Sequence, residues 1–425
     1  MAEIAAGAVV AEQVVSTTLE GGAVAAHFIR KPTMPLKASF VQFGTAPAND
    51  TELSLARSHH TLNVANHKAY IFGGEVANGK VASNDIHAFT LPSAAGQQID
   101  SEYACFPAVS RQEGDEVPCP RTRHAACVQG HELAVFGGCD ESGQTVDSEP
   151  YIWLWDTQVS KWHKILTTDQ PVPSSRYDHK LFAYGGHLIL FGGRSDPETK
   201  LRDTWFFDFT AHAWTQLPDA PVASDSVAFA DGSLYLVTRS RAEGVCHVYA
   251  LEIGGSVPGH KAGEGLEWQR ILFQSDSPTP GPDLRSGTLL PFSTGYGRIY
   301  LAYLFGCVDN PRDVAESEHM EEKTFYSDLW TYQVPSKSTK PTSWTDFKPA
   351  AVKDAIRDKL GYGSGGFEWA EVEVMATEQT GHEGMLHPGP RAFFGADAED
   401  ATVVLWGGIN AKGEKEADGW IINFQ

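Results

Sequence analysis

A short apolar run that ends in a pair of glycines recurs along the chain and constrains its fold more than any other feature. Four copies keep the glycine pair: AYIFGG (69–74), LAVFGG (133–138), LILFGG (188–193) and VVLWGG (403–408). Two degenerate copies, LYLVTR (234–239) and YLFGC (303–307), bring the number of units to six. Such a unit cannot bury both of its apolar faces alone, so neighbouring units must pack against one another.

The residues that precede each run recur more regularly than the sequence of the run itself. An arginine and, three residues later, a histidine or phenylalanine stand at a fixed distance before the first glycine. The pairs are Arg57 and His60, Arg121 and His124, Arg176 and His179, and Arg391 and Phe394. The fifth unit keeps Arg285, whereas the fourth unit has no arginine at this position. Because the histidines recur at identical positions, we interpret them as packing residues of the repeat.

The remainder of each unit supplies two further strands. The third begins with an acidic or aromatic residue, and the fourth carries a tryptophan. Units of four short strands, at a spacing of roughly 45 residues, predict an all-β, six-bladed β-propeller. The last unit has three strands before Gln425, so we predict that the segment 38–45 (ASFVQFGT) closes the sixth blade as its outer strand. This closure would remove an open sheet edge.

The predicted domain organisation has two parts. Residues 1–36 form a short N-terminal helical extension, and residues 37–425 form the propeller, with a small helical insertion at 349–361. Glu3, Glu12 and Glu20 interrupt the apolar N-terminal stretch. The stretch therefore predicts neither a secretory signal nor a membrane span, and we expect a cytoplasmic protein.

The net charge excludes two classes of partner. Lys and Arg number 33 against 54 Asp and Glu, which gives a net charge of −21. Such a surface repels phosphate backbones and anionic lipids, so we expect neither nucleic-acid nor membrane binding.

None of the six cysteines lies in a C-x-x-C pair. We interpret them as mostly reduced, which suits the cytosol, and we expect a monomer.

The glycine pair, the third-strand acid and the fourth-strand tryptophan together resemble the kelch repeat, in the superfamily that includes the central domain of galactose oxidase. The likeness covers residues 54–425, and the chain as a whole is similar to the kelch-only proteins of filamentous fungi. It implies a kelch β-propeller that binds a partner at one mouth of the ring. Plant specifier proteins of this family are non-redox enzymes that use iron, but their Glu-x3-Asp-x3-His motif is absent here. The nearest set, Asp309, Asp313 and His319, has the wrong spacing.

The topology predicts where a site would lie. The beginning of the innermost strand and the loop after the glycine pair share one face, so the repeated arginines are expected to ring that mouth and to attract an anionic or polar ligand. The predicted ligand-binding residues are Arg57, Arg121, Arg176, Arg285, Arg391, Glu75, Arg194 and Arg239. Tyr177 and Asp178 occur only in the third unit, so they are the candidate catalytic residues.

Two functions remain open at this point. The leading hypothesis is a propeller that binds a partner protein or a small anionic or polar ligand at an arginine-ringed central mouth. The alternative is a non-redox enzyme, of the isomerase, lyase or cyclase type, that acts on a small molecule in the same pocket. We expect no cofactor and no tightly bound transition metal, because no ligand set has a recognisable spacing. The acidic run 309–322 is either a solvated loop or a site for a hard cation such as calcium.

Overall fold

The structure, a computed structural model, describes most of the predicted propeller. The described residues are 33–47, 51–92, 102–147, 150–167, 171–240, 242–254, 265–272, 279–283, 285–294, 298–308, 324–334, 367–377 and 387–425. The predicted helical insertion (349–361), the acidic run 309–322 and nearly all of the helical extension (1–36) lie outside them. Within the described residues, no helix has the length and apolar character needed to cross a membrane.

The first three blades are regular four-stranded antiparallel sheets with the strands in chain order. Blade one contains β2 (Thr61–Ala65), β3 (Lys68–Phe72), β4 (Ile86–Thr90) and β5 (Tyr103–Phe106). Blade two contains β6 (Ala125–Gln129), β7 (Glu132–Phe136), β8 (Ile152–Asp156) and β9 (Lys161–Ile165). Blade three contains β10 (Lys180–Tyr184), β11 (His187–Arg194), β12 (Lys200–Asp208) and β13 (Ala213–Leu217). A short 3-10 helix, Ala77–Gly79, follows β3.

The last three blades depart slightly from this pattern. Blade four contains β14 (Val227–Ala230), β15 (Ser233–Arg239), β16 (Cys246–Glu252) and β17 (Gln269–Arg270). Blade five contains β18 (Thr288–Ser293), β19 (Ile299–Leu304), β22 (Leu329–Gln333) and β23 (Trp369–Glu371), with a small ladder of β20 (Cys307–Val308) and β21 (Thr324–Phe325). Blade six contains β26 (Gly395–Glu399), β27 (Thr402–Trp406) and β29 (Asp418–Phe424), with a small ladder of β25 (Arg391–Ala392) and β28 (Ile409–Asn410).

The hydrophobic core lies between the blades. The buried apolar residues form six clusters, and each cluster joins the facing sides of two neighbouring sheets. Blade six meets blade one through Trp406 and Phe89, whose rings stack at 4.4 Å between centroids. Six interfaces for six blades complete the ring, so the predicted all-β, six-bladed β-propeller is confirmed.

The outer part of blade six comes from the N-terminal side of the chain. Strand β1 (Lys37–Thr45) lies antiparallel to β29, with Phe40 opposite Ile422. Its other edge pairs in parallel with β24 (Glu373–Met375), which follows β23 of blade five. The side chain of Phe40 is fully buried and packs near Phe305 of blade five. Strand β1 thus joins the last two blades as well as completing one of them.

We expect Phe40→Ala to lower the free energy of unfolding by about 3–5 kcal/mol, because it opens a cavity between blades five and six. Val41→Ala is the matched control, since Val41 is the next residue of the same strand and is only half-buried. Urea and thermal denaturation compare the two variants. An equal loss in both would contradict a closing role for the buried face of β1.

A carboxyl group lies at the junction of blades six and one. Asp397 of β26 accepts a hydrogen bond from the backbone N–H of Val64 in β2 at 2.8 Å. Burial raises the pKa of Asp397 to about 6, and the bonds from the backbone oppose this only in part. A raised carboxyl pKa means that the folded protein binds the proton more tightly than the unfolded chain. Its contribution to stability is therefore present at low pH and is lost as the pH rises from about 4 to about 6.

The expected consequence is a pH-dependent difference between the parent protein and Asp397→Asn. The melting temperature of the parent should fall relative to the variant between pH 4.5 and pH 7. Asp400→Asn, which changes an exposed acid near the end of the same hairpin, is the control and should show no such trend. Parallel melting curves for all three proteins would refute the assignment.

Candidate functional site

The repeated arginines are buried inside the blades. Arg57, Arg121, Arg176 and Arg391 are at most 1% exposed, and Arg285 is 8% exposed. In the four units with a complete glycine pair, the guanidinium group donates to the carbonyl of the first glycine of its own blade, at 2.9–3.1 Å. Each arginine therefore ties the beginning of the innermost strand to the end of the next strand.

The acidic residue at the beginning of the third strand is the counterion of this arginine. Arg176 donates to both carboxylate oxygens of Asp203 at 2.8 Å, and Arg391 bonds Asp418 in the same bidentate way. Burial alone would raise the pKa of Asp203, but the hydrogen bonds and the charge of Arg176 outweigh it and hold the pKa below its usual range. Blade two uses Asp147 and blade five uses Asp328.

Blade one replaces this carboxylate by a histidine. Arg57 Nη2 lies 3.1 Å from His87 Nε2, and His87 Nδ1 lies 2.9 Å from the hydroxyl of Tyr103. Because a guanidinium only donates, His87 Nε2 is the acceptor and its proton is on Nδ1. Burial and the neighbouring Arg57 lower the pKa of His87 to about 3, so the ring is neutral at physiological pH.

These contacts place the arginines away from the wall of the central opening. Five of the predicted ligand-binding residues, the arginines of the repeat, have their guanidinium groups enclosed by groups of their own blades: carbonyl oxygens and a carboxylate in four blades, and carbonyl oxygens and His87 in blade one. Arg239 donates to the carbonyl of Pro282 and pairs with Asp283 on blade four. The physical reason is that the arginine side chain turns back along its own blade, whereas the topology alone located only its backbone.

The repeated histidines are packing residues in the structure. His60, His124 and His179 are buried, and burial, followed by the adjacent arginine, lowers the pKa of each far below its usual range. A Cβ on Gly73, whose φ is +60°, would lie 2.7 Å from the His124 ring of the next blade. The glycine pair is therefore needed so that the following blade can approach.

The second of the two residues between the arginine and the histidine or phenylalanine points to the central opening instead. His59, Arg123, Asp178 and Phe393 each adopt a left-handed backbone conformation, with φ between 53° and 57°. Their backbones form a chain of hydrogen bonds around the ring: His59 N–H to the carbonyl of Phe393, Arg123 N–H to that of His59, and Asp178 N–H to that of Arg123, at 2.8–3.1 Å. This conformation aims four chemically different side chains at the propeller axis.

These side chains line a cavity of about 910 Å³, which we call the funnel. The wall also contains Glu75, Cys139, Arg194 and Tyr177, which follow the glycine pairs or precede the left-handed residues. His59 stacks on Phe393, with ring centroids 4.3 Å apart and planes at 20°. On the side of blade five, the wall is made of the small residues Ser286, Gly287 and Thr288.

Charged groups of opposite sign alternate along the wall of blades one to three. Glu75 Oε1 lies 3.7 Å from Arg123 Nε, and Asp178 Oδ2 lies 3.4 Å from Arg123 Nη1 and 3.9 Å from Arg194 Nε. These separations are longer than the bidentate contacts of the buried arginines. Arg123 and Arg194 are also 37% and 27% exposed. Both guanidinium groups can therefore donate to a molecule in the funnel.

Burial shifts the pKa of three further groups of the wall. Burial raises the pKa of Asp178, with Arg123 opposing, and burial also raises the pKa of the Tyr177 phenol. The Cys139 thiol is 3% exposed, and burial raises its pKa to about 11. A thiolate is the nucleophilic form of cysteine, so Cys139 is not activated for nucleophilic attack.

Of the predicted site residues, the structure brings Glu75, Arg194, Tyr177 and Asp178 together in the funnel. His59, Arg123 and Phe393 are not among the site residues predicted from the sequence. The signal was partial, because both positions between the arginine and the histidine or phenylalanine vary from unit to unit. The spacing marks these two positions as the ones that differ between blades, but it does not show which of them faces the ring opening.

Six four-stranded blades around a funnel, with an arginine and glycine pair in most blades, define a β-propeller built of kelch-type repeats. The family described as "KLHDC2/KLHL20/DRC7 Kelch-repeats domain" matches residues 59–287. The chain therefore belongs to the kelch-repeat family. Its similarity to fungal kelch-only proteins stays a prediction.

Several known proteins are similar to this chain, in sequence over part of its length or in fold. An N-(sulfonatooxy)prop-2-enimidothioate sulfolyase of Thlaspi arvense is 24% identical over 57% of this chain and 70% of its own length. Acyl-CoA-binding domain-containing protein 4 of Arabidopsis thaliana is 26% identical over 56% of this chain but only 34% of its own length. The solved structure of YjhT is similar in fold, with a TM-score of 0.52, 14% identity, and coverage of 87% of this chain and 97% of that one.

The buried and the funnel-lining arginines should differ sharply when truncated. We expect Arg176→Ala to lower the free energy of unfolding by about 3–5 kcal/mol, because it leaves Asp203 and a glycine carbonyl without their buried partner. Arg194→Ala should cost about 1 kcal/mol or less, since its ion pair is exposed and long. Thermal and urea denaturation measure both, and similar losses would contradict the division of roles.

Proposed function

We propose that this protein binds a small polar molecule with an acidic group in the funnel, where Arg123 and Arg194 contact that group. The observation that carries the proposal is the pair of partly exposed guanidinium groups on either side of Asp178, each more than 3.3 Å from its carboxylate. Carboxylate, sulfate and phosphate oxygens fit the donor fork of arginine. A volume of about 910 Å³ is of the size that ligand pockets have.

The other charges of the wall support this assignment. Asp225 is paired with Lys200 at 2.6 Å, and Glu141 accepts from the N–H of Val81. Asp140 accepts from the backbone N–H groups of Ser142 and Gln144 in its own loop. These carboxylates have partners, whereas Asp178 shares the two arginines at long range. An acidic side chain or chain end of a partner protein presents the same group, so a protein ligand remains within this proposal.

The test is a titration of the protein with sulfate, phosphate and succinate, followed by calorimetry. We expect saturable binding of at least one anion, and a loss of about tenfold or more in affinity for Arg123→Ala and Arg194→Ala. Arg239→Ala is the matched control, because Arg239 is 28% exposed and paired with an acid but lies outside the funnel wall. Equal affinities in all three variants would refute the site.

Asp178→Asn provides a prediction of opposite sign. Asp178 competes with the anion for both guanidinium groups, so removing its charge should tighten binding severalfold. Asparagine tolerates the left-handed conformation of this position, so the fold should be kept. Weaker anion binding in a variant with an unchanged melting temperature would contradict the proposed arrangement.

A second candidate function is a non-redox enzyme of the isomerase, lyase or cyclase type. It is favoured by the match to a sulfolyase of which 70% is covered, and by the raised pKa of Asp178 beside two arginines. In that case Asp178 would transfer a proton to or from the bound molecule, and the arginines would hold its acidic group. Asp178→Asn would then abolish conversion of a co-purified ligand, followed by mass spectrometry, while binding is kept.

A further inference from the structure

A cluster of imidazole and carboxylate groups lies at the edge of blade two that is opposite to the funnel. His131 is in the turn before β7, and Glu132 begins β7, which runs from this edge towards the funnel. Asp156 ends β8 and is the cross-strand partner of Glu132. His163 of β9 pairs with Leu154, two residues before Asp156, so the two side chains share one face of the sheet. One turn and three strands thus bring four metal-binding side chains together.

The distances within this cluster suit a single metal ion. His131 Nε2 lies 3.6 Å from Asp156 Oδ2, and His163 Nε2 lies 3.5 Å from Glu132 Oε1. The donor atoms of His131, Glu132 and Asp156 all lie within 4.8 Å of one another. Ligands at 2.0–2.1 Å around a tetrahedral zinc ion stand roughly 3.3 Å apart, so small movements of these three side chains bring their donors to a common centre. His163 lies outside this group of three and would join it through its contact with Glu132.

The backbone already orients one of the donors. Asp156 Oδ1 accepts hydrogen bonds from the N–H groups of Gln158, at 2.8 Å, and of Val159, at 3.3 Å. Its other oxygen, Oδ2, is left to face His131 and Glu132. The side chain of Asp156 is only 8% exposed. Support of this kind, from groups outside the donor set, fixes the direction of a metal ligand.

A cation of the protein itself lies between the two carboxylates of the cluster. Arg111 Nη2 lies 2.6 Å from Asp156 Oδ2 and 3.2 Å from Glu132 Oε1. Its side chain is 40% exposed, and its backbone N–H is bound to the carbonyl of Trp162. The side chain can therefore turn towards the solvent while its backbone stays in place. The two carboxylates attract a positive charge whether the guanidinium group lies between them or has turned towards the solvent.

We propose that His131, Glu132, Asp156 and His163 bind one zinc ion, in exchange for the guanidinium group of Arg111. Two imidazole nitrogens and two carboxylate oxygens are a donor set that suits zinc better than magnesium or calcium. This proposal revises the expectation from sequence of no tightly bound transition metal. Spacing along the chain did not indicate the cluster because its members meet only through the pairing of β7, β8 and β9.

The test is calorimetric titration of zinc chloride into the metal-free full chain. We expect one zinc ion per chain, a rise in melting temperature on saturation, and no comparable effect of magnesium. His131→Gln and His163→Ala should each weaken zinc binding by about tenfold or more. Arg111→Ala should tighten it, by roughly threefold or more, because the competing cation is removed. His67→Ala is the control, since His67 lies 3.9 Å from a single carboxylate, Glu399.

Two results would overturn the proposal. Zinc binding that is the same in the parent protein and in the double variant His131→Gln/His163→Ala would locate the metal elsewhere. Unchanged or weaker binding in Arg111→Ala would show that the guanidinium group does not occupy the metal position. Melting curves without zinc establish that each variant is folded. If His163→Ala does not fold, His131→Gln still tests the site, because His131 is half exposed.

Discussion

Each of the four repeated arginines in units with a complete glycine pair holds two blades at once, and the ring depends on that contact. Its guanidinium group donates to the first glycine carbonyl of its own blade, while its own carbonyl accepts from a glycine N–H of the preceding blade. For Arg121 these partners are Gly137, at 3.0 Å, and Gly74, at 2.9 Å. Both bonds are buried, where an unpaired charge or carbonyl costs several kcal/mol. A substitution here therefore disturbs the spacing between blades as well as one strand.

The glycine pair and the left-handed residue follow from this contact. A Cβ on Gly137 would lie 2.4 Å from the carbonyl of Arg176, so a side chain at this position would push the two blades apart. Two residues after the arginine, the chain turns sharply into the innermost strand, and the left-handed conformation of Arg123 or Asp178 makes that turn. The residues that face the funnel are thus placed by the same structural unit that holds the blades together, although they contribute little to the packing themselves.

The sequence predicted the features that are repeated and missed those that depend on pairing between distant residues. The fixed spacing of Arg57, Arg121, Arg176 and Arg391 from the glycine pairs located four of the six blades, because a common backbone geometry imposes a common spacing. The direction of the arginine side chains was not predicted, since a fixed spacing locates the backbone of each arginine but not the buried acid that its guanidinium group contacts. Asp147 of blade two precedes β8 by several residues, whereas Asp203 lies within β12. The proposed zinc cluster was not predicted for a similar reason, because the pairing of β7 with β8 brings Glu132 and Asp156 together, and their spacing along the sequence does not indicate it.

The chemistry of the funnel is asymmetric although its framework is repeated. Blades six and one contribute the stacked rings of Phe393 and His59, blades two and three contribute Arg123 and Asp178, and blade five contributes small polar residues. A residue that occurs in every blade at the same depth produces the same environment around the whole ring. Recognition of one orientation of a ligand therefore requires the positions that differ. Because Arg123 and Arg194 lie on blades two and three, the acidic group of the proposed ligand would lie away from the axis, and the rest of the molecule would extend towards the wall of blade five, which is made of small residues.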